Sequence, residues 1–252
     1  MERYDPMESK KPTVTIYILV YNNAEELPAT IESVMKQTYM DAEVILSDDG
    51  SQNYDVSILE QYAADLRKKY GQVRINLNEK NVGTVKHLNR VLKMAEGKYL
   101  LSCSSGDTFA REDTIEKIVR TFEQKKTLLL TTRRLDVMPE KKKIRPSMLT
   151  GMLLKFAPGI LLDYMIKKKN VISGCCTFYQ KELFEHYGYF DERYHLVEDY
   201  PYYVMLLQKK VQFGWSNMVS IHHRIGGVST GRVHPSIYKD IELMRSLLKK
   251  GG

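Results

Sequence analysis

The feature that most constrains this chain is a strict alternation of β-rich runs and amphipathic segments through about residue 132. "TVTIYILV" (13–20) is near-continuously apolar, as expected of a strand covered on both faces. In "YNNAEELPATIESVMKQT", Asn22 or Asn23 can cap a helix whose first turn holds Glu25 and Glu26. Leu27, Ile31, Val34 and Met35 then fall on one face. "AEVILSDDGS" predicts a second strand that ends in an acidic turn. A helix over 58–70, a strand over 72–78, a helix over 84–97 closed by Gly97 and the strand "KYLLSC" follow. The helix "REDTIEKIVRTFEQKK" and the strand "TLLLTT" complete the series. This order predicts an α/β fold with a mostly parallel sheet and right-handed crossovers. Ligands of such sheets sit outside the carboxyl ends of the strands. The acids at 48–49 and 107 both follow strands, so both are expected on that edge.

After residue 133 the rhythm changes, but no linker rich in Pro, Gly or Ser divides the 252 residues. One domain is expected over 1–252. Hydrophobic content of 43% and charged content of 27% place the chain among soluble globular proteins. The first twelve residues read as a polar leader, not a signal peptide, and no ~18-residue apolar run predicts a membrane span. Cys103, Cys175 and Cys176 lack metal-ligand spacing and read as buried thiols of a reducing compartment. The net charge of +7 suits an anionic partner. Nucleic acid is not expected, because no basic stretch carries a nucleic-acid fold signature.

Five stretches carry chemistry. In "SDDGS", Asp48 and Asp49 can accept from a nucleobase imide or a ribose hydroxyl, or they form a solvated Asx turn. In "NEKNVGT", Gly83 permits close backbone approach, and Lys80 or Lys86 can face a diphosphate. In "SSGD", Asp107 offers a carboxylate to Mg²⁺ or Mn²⁺, with hydroxyls from Ser104 and Ser105; the alternative is a turn acid. In "LVEDYPYY", Glu198 and Asp199 open a helix with Pro201 in its first turn. They serve there as caps, or as a general base favoured in ionised form by the helix dipole. In "IHHRIGGVST", strand alternation puts His222 and Arg224 on one face and His223 on the other.

The order of these stretches resembles inverting glycosyltransferases of family 2, most specifically at "LVYNNAEELPATIESVMKQTY" and "GYFDERYHLVEDYPYYVMLL". The resemblance covers roughly residues 13–230. It implies a GT-A fold: a Rossmann-like sheet flanked by helices, with a nucleotide-sugar-binding half over about 13–108 and an acceptor-binding half over about 109–252. It implies that Leu19 and Tyr21 flank the base and that Asp49 and Asp48 contact uracil or ribose. Gly83 would lie in the loop over the nucleotide, with Lys86 and Ser105 on the donor. Arg224 and Ser229 would lie where such enzymes close over the diphosphate. Asp199 matches the catalytic base, with Glu198 beside it.

One position departs from the pattern. The family's strand tip is D-x-D or D-x-D-D, whereas this chain has Ser104, Ser105, Gly106 and Asp107. The expectation is a shifted loop in which Asp107 alone holds the divalent metal, Mn²⁺ or Mg²⁺. A non-catalytic nucleotide- or glycan-binding relative of the same fold is the second reading. The resemblance otherwise implies transfer of a sugar, UDP-linked, to a hydroxyl of a glycan or lipid-linked acceptor in cell-surface polysaccharide or glycolipid synthesis. The segment 148–170, with lysines at both ends, suits peripheral contact with an anionic membrane from the cytoplasmic side, or a solvated acceptor-side helix.

Overall fold

The computed structural model describes residues 11–52, 55–137, 142–225 and 234–250. The predicted alternation is realised in order. It runs β1 (Val14–Val20), α1 (Leu27–Met35), β2 (Ala42–Asp48), α2 (Ser57–Tyr70), β3 (Val73–Leu77), α3 (Thr84–Met94) and β4 (Tyr99–Ser102). A short β5 (Thr108–Phe109), α4 (Thr114–Lys125) and β6 (Leu129–Val137) follow. β1 pairs in parallel with β2 and β4, and β2 with β3. The carboxyl ends of these four strands therefore share one edge, which carries both acidic turns.

The second half is less regular. β7 (Lys142–Arg145), α5 (Met148–Phe156), α6 (Pro158–Lys167), β8 (Thr177–Gln180) and α7 (Lys181–Tyr187) lead to α8 (Asp199–Gln208), β9 (Phe213–Arg224) and α9 (Pro235–Lys250). The sheet order is β3-β2-β1-β4-β8-β6-β9-β5, with β7 beside β6. β8 runs antiparallel to both β4 and β6, while β9 runs parallel to β6. The sheet is thus parallel across its first four strands and mixed beyond them. The reversal comes from the irregular connections of the second half, which no longer follow the βαβ rule.

Alternate residues of β1 feed two cores. Ile16 and Ile18 pack with α1, α2 and α4 on one face. Tyr17 packs on the other face with residues of α3, α7 and α8. α1 buries Leu27, Ile31 and Val34 of the expected stripe together with Thr30, while Met35 is only partly buried against the same core. Burying each large apolar side chain of this kind contributes about 1.5–3 kcal/mol.

Two local expectations change. Asn23 does not cap a helix: its Oδ1 accepts from Tyr21 N at 3.1 Å and its Nδ2 donates to Ser105 O at 3.2 Å. Gly97 is not a C-cap, since α3 ends at Met94 with Ala95 after it. Gly97 instead lets the start of the next strand approach β1, where a Cβ would overlap the backbone of Thr15.

Candidate active site

The acidic turn and the "NVG" loop are built as one unit. Asp49 is buried, and its carboxylate accepts from Asn78 Nδ2 (2.8 Å), Val82 N (3.1 Å) and Gly83 N (3.2 Å). Asp48 accepts from Ser51 N at 2.8 Å and Ser51 Oγ at 2.5 Å. Two glycines make the fit possible. Gly50 has φ +72°, and a Cβ there would lie 2.5 Å from the Lys80 carbonyl carbon. Gly83 has φ +89°, and a Cβ there would lie 2.5 Å from the His195 ring. A side chain at either point would be strained and would also clash. These three hydrogen bonds to Asp49 come from within the protein and hold the loop over the strand ends. Asp48 is equally buried.

The strand tip is pinned from α1. Thr30 Oγ1 donates to Asp107 O at 2.7 Å and accepts from Gly106 N at 3.0 Å. Ser105 Oγ donates to Asn23 O at 2.9 Å, so the hydroxyl expected on the donor anchors the "YNN" turn. At Gly106, φ is +93° and a Cβ would overlap Glu26 Oε2. The space beside position 106, where the resemblance leads one to expect an acid, is thus taken by the carboxylate of Glu26, the residue before α1. Glu26 Oε1 pairs with Arg224 Nε at 3.2 Å.

Asp107 is buried, and its Oδ1 receives His223 Nδ1 at 2.7 Å and Arg224 N at 3.3 Å. Burial raises the Asp107 carboxyl to about 6, against the lowering effect of His223. Burial opposes the charge on His223, but Asp107 and Cys175 outweigh it and push the imidazole up to about 10. His223 Nε2 is buried without a hydrogen-bond partner. The ligand atoms of Asp107, His223 and Cys175 lie within 4.8 Å of one another.

Cys175 departs from the bland thiol expected. Cys103 and Cys176 are buried, and burial pushes both thiols up. Cys175 instead faces the site. Its hydrogen bond with Cys176, then His223 and Arg134, hold its thiol well below the usual range despite burial. Arg134 Nη1 lies 3.4 Å from its sulfur. No spacing rule could have found it, because its partners come from other strands.

Asp199 starts α8, half-buried, with Oδ2 accepting from Asn170 Nδ2 at 3.1 Å. Across from it lies Gly174, where a Cβ would sit 3.1 Å from Asp199 Oδ2. The single turn Gly174–Cys176 therefore presents Asp199 with residue 174 and the Asp107–His223 pair with residue 175. Burial raises Asp199 to about 6. Burial and the charge of Asp199 raise neighbouring Glu198 to about 8. The segment before α8 is fixed by Asp240 of α9, whose Oδ2 accepts from His195, Leu196 and Val197 N at 3.0, 2.8 and 3.0 Å. Sequence reasoning gave Asp240 no role.

Of the remaining expected donor contacts, Leu19 is half-buried near the end of β1, and Tyr21 just beyond it is 45% exposed. Lys86 is exposed on α3. Ser229 lies outside the described residues.

A mixed α/β sheet with acidic turns at its carboxyl edge and a carboxylate opening a helix beside it defines a GT-A-type fold. The chain belongs to glycosyl transferase family 2, whose model matches residues 15–188. An uncharacterized glycosyltransferase of Haemophilus influenzae is 30% identical over 131 residues, 52% of this chain, which spans only 39% of that relative's length. The structure resembles TarS 1–349 of S. aureus in complex with UDP-GlcNAc, with TM-score 0.70 and 18% identity over 93% of this chain and 66% of that one. It also resembles the mannosyltransferase PcManGT of Pyrobaculum calidifontis in complex with GDP-Man and Mn²⁺, with TM-score 0.69 and 13% identity over 97% of this chain and 66% of that one.

Proposed function

We propose that this chain transfers a sugar from a nucleotide sugar, UDP-linked, to an acceptor hydroxyl with inversion at the anomeric carbon. The observation that carries the reading is the turn Gly174–Cys176, which brings Asp199 and the Asp107–His223 pair to one place. Asp199 takes the acceptor hydroxyl proton as that oxygen attacks the anomeric carbon, and the proton stays on its carboxylate. Asn170 orients that carboxylate. The nucleoside diphosphate departs from the opposite face, in one displacement without a covalent intermediate. With no metal bound, the cationic His223 and Arg224, held at the strand tip by Asp107 and Glu26, would offset the negative charge growing on the diphosphate.

The residues present also fit a divalent cation, because His223 offers a buried, unpartnered Nε2 beside a carboxylate and a low-pKa thiol. Asp107, His223 and Cys175 would hold it, and bound there it would serve as a Lewis acid toward the leaving diphosphate. Imidazole and thiolate suit a borderline cation of the zinc class better than the Mg²⁺ that the family resemblance allows. The likeness to TarS, solved with UDP-GlcNAc, and to PcManGT, solved with GDP-Man and Mn²⁺, supports a nucleotide-sugar donor and a divalent metal. The acceptor we assign to cell-surface polysaccharide or glycolipid synthesis.

The test is a calorimetric panel of UDP- and GDP-sugars with and without divalent cation, followed by turnover with the tightest donor. Donor binding and turnover that Asp199→Asn abolishes, with binding retained, are expected. Binding without turnover in the wild type would make the chain a non-catalytic relative, and no binding at all would overturn the reading.

A further inference from the structure

The helix pair α5–α6 leaves an apolar face open. α5 buries Thr150, Gly151 and Leu154, and Gly151 sits so close to the Trp215 indole that a Cβ would overlap it. α6 buries Leu161 and Met165. The opposite side of the pair exposes Leu149 (63%), Met152 (57%), Phe156 (72%), Ile160 (65%) and Tyr164 (40%). Leu149, Met152 and Phe156 recur at helical spacing on α5, as do Ile160 and Tyr164 on α6, so each helix carries an exposed apolar stripe. The strand β7, which precedes α5 in the chain, is exposed at all four positions, including Ile144.

The charge around this face has one sign. Residues 142–169 carry seven Lys and Arg against one acid, Asp163, in a chain whose net charge is +7. Asp163 is already paired with Lys167 at 2.7 Å. Lys142 and Lys143 lie on the exposed strand that precedes α5, Lys155 sits over the Phe156 ring, and Lys168 and Lys169 follow α6. An apolar face rimmed by cations matches an anionic bilayer: the apolar residues enter the headgroup boundary while the lysines reach phosphates. A protein groove would need no such one-signed rim. Among the described residues no helix is long and apolar enough to cross a membrane, so the contact is interfacial.

We infer that α5 and α6 dock this chain on an anionic lipid bilayer. The docked surface is coupled to the site by chain connectivity. α6 ends at Lys167, and Asn170 three residues on donates to Asp199 Oδ2. A membrane under α5–α6 therefore lies on the acceptor side, and the acceptor class it implies is a hydroxyl on a membrane-embedded lipid. This acceptor assignment rests on the glycosyltransferase reading; the docking itself does not.

Co-sedimentation of the full chain with phosphatidylcholine vesicles, with and without phosphatidylglycerol, tests the docking. Binding only to the anionic vesicles is expected, weakening as salt rises. The double variant Phe156→Asp, Ile160→Asp should lose binding at least about tenfold, given the apolar area withdrawn. Its circular dichroism and its nucleotide-sugar affinity should match the wild type. Because both side chains are exposed, the variant is expected to fold. Equal binding by wild type and variant, or no binding to anionic vesicles, would overturn the proposal. A concentration-dependent dimer that the variant abolishes, without vesicle binding, would replace the bilayer with a second copy of the chain. Vesicle binding without transfer would leave the docking standing and remove only the catalytic reading.

Discussion

His223 Nδ1 lies 2.7 Å from Asp107 Oδ1, joining two residues 116 positions apart in the chain. The contact ties the end of β9 to the turn after β4, and it places Cys175 as the third potential ligand within 4.8 Å. The family pattern gathers metal acids within one short turn. Here the three candidate ligands come from three separate elements, and their atom types set the metal preference to test.

A thiolate and an imidazole beside one carboxylate should select zinc or cobalt over magnesium. Isothermal titration should show tighter Co²⁺ and Zn²⁺ than Mg²⁺ binding. The Co²⁺ complex should show thiolate-to-metal absorption in the near ultraviolet, which Cys175→Ser removes. Metal must displace the proton that His223 holds to about 10, so affinity should rise with pH across the neutral range. A cobalt spectrum without a thiolate band would take Cys175 out of the ligand set.

Asp199→Asn should lower kcat by roughly 10²–10⁴-fold, the usual worth of a general base, with the donor KM little changed. The Asp199 pKa is raised to about 6, so the base is protonated below that value and ionised above it. The rate should therefore climb with pH and level off above about pH 7, and the climb should vanish in the Asn variant. A wild-type profile flat between pH 5 and 8 would contradict the assignment.

Glu26 occupies the space that an acid at position 106 would need. Gly106→Asp, although it brings the turn nearer the family pattern, should destabilise the chain by about 1–3 kcal/mol from positive φ and overlap. Combining it with Glu26→Ala should recover part of that loss, which a double-mutant cycle by urea unfolding would measure as coupling. Strict additivity would mean that the two side chains do not compete.

Asp240 receives three backbone N–H groups ahead of α8 with one buried carboxylate oxygen. Asp240→Ala strands those donors, at a cost of about 1–3 kcal/mol for each one left buried and dry. Thermal unfolding should shift down by several degrees, and kcat should fall because Asp199 follows directly. Asp240→Asn, which keeps an acceptor oxygen, should lie between the variant and the wild type in both measurements.

The sequence by itself determined the first half of the fold and the nature of its edge. Apolar runs, helical stripes and the acids at 48, 49 and 107 are periodic or local features, and each reports on neighbours a few positions away. "LVEDYP" likewise announced a helix start with carboxylates, which α8 realises. Tertiary structure alone decided what those acids touch. Asp49 binds the loop that holds Gly83, Ser105 binds Asn23, and Glu26 fills the gap at Gly106. It also turned Cys175 from an ordinary thiol into a neighbour of His223, and it fixed the direction of β8 and β9. The physical reason is range. Periodicity encodes which face of an element is buried, whereas a buried side chain's partner depends on strand order and register, set by packing across the whole sheet.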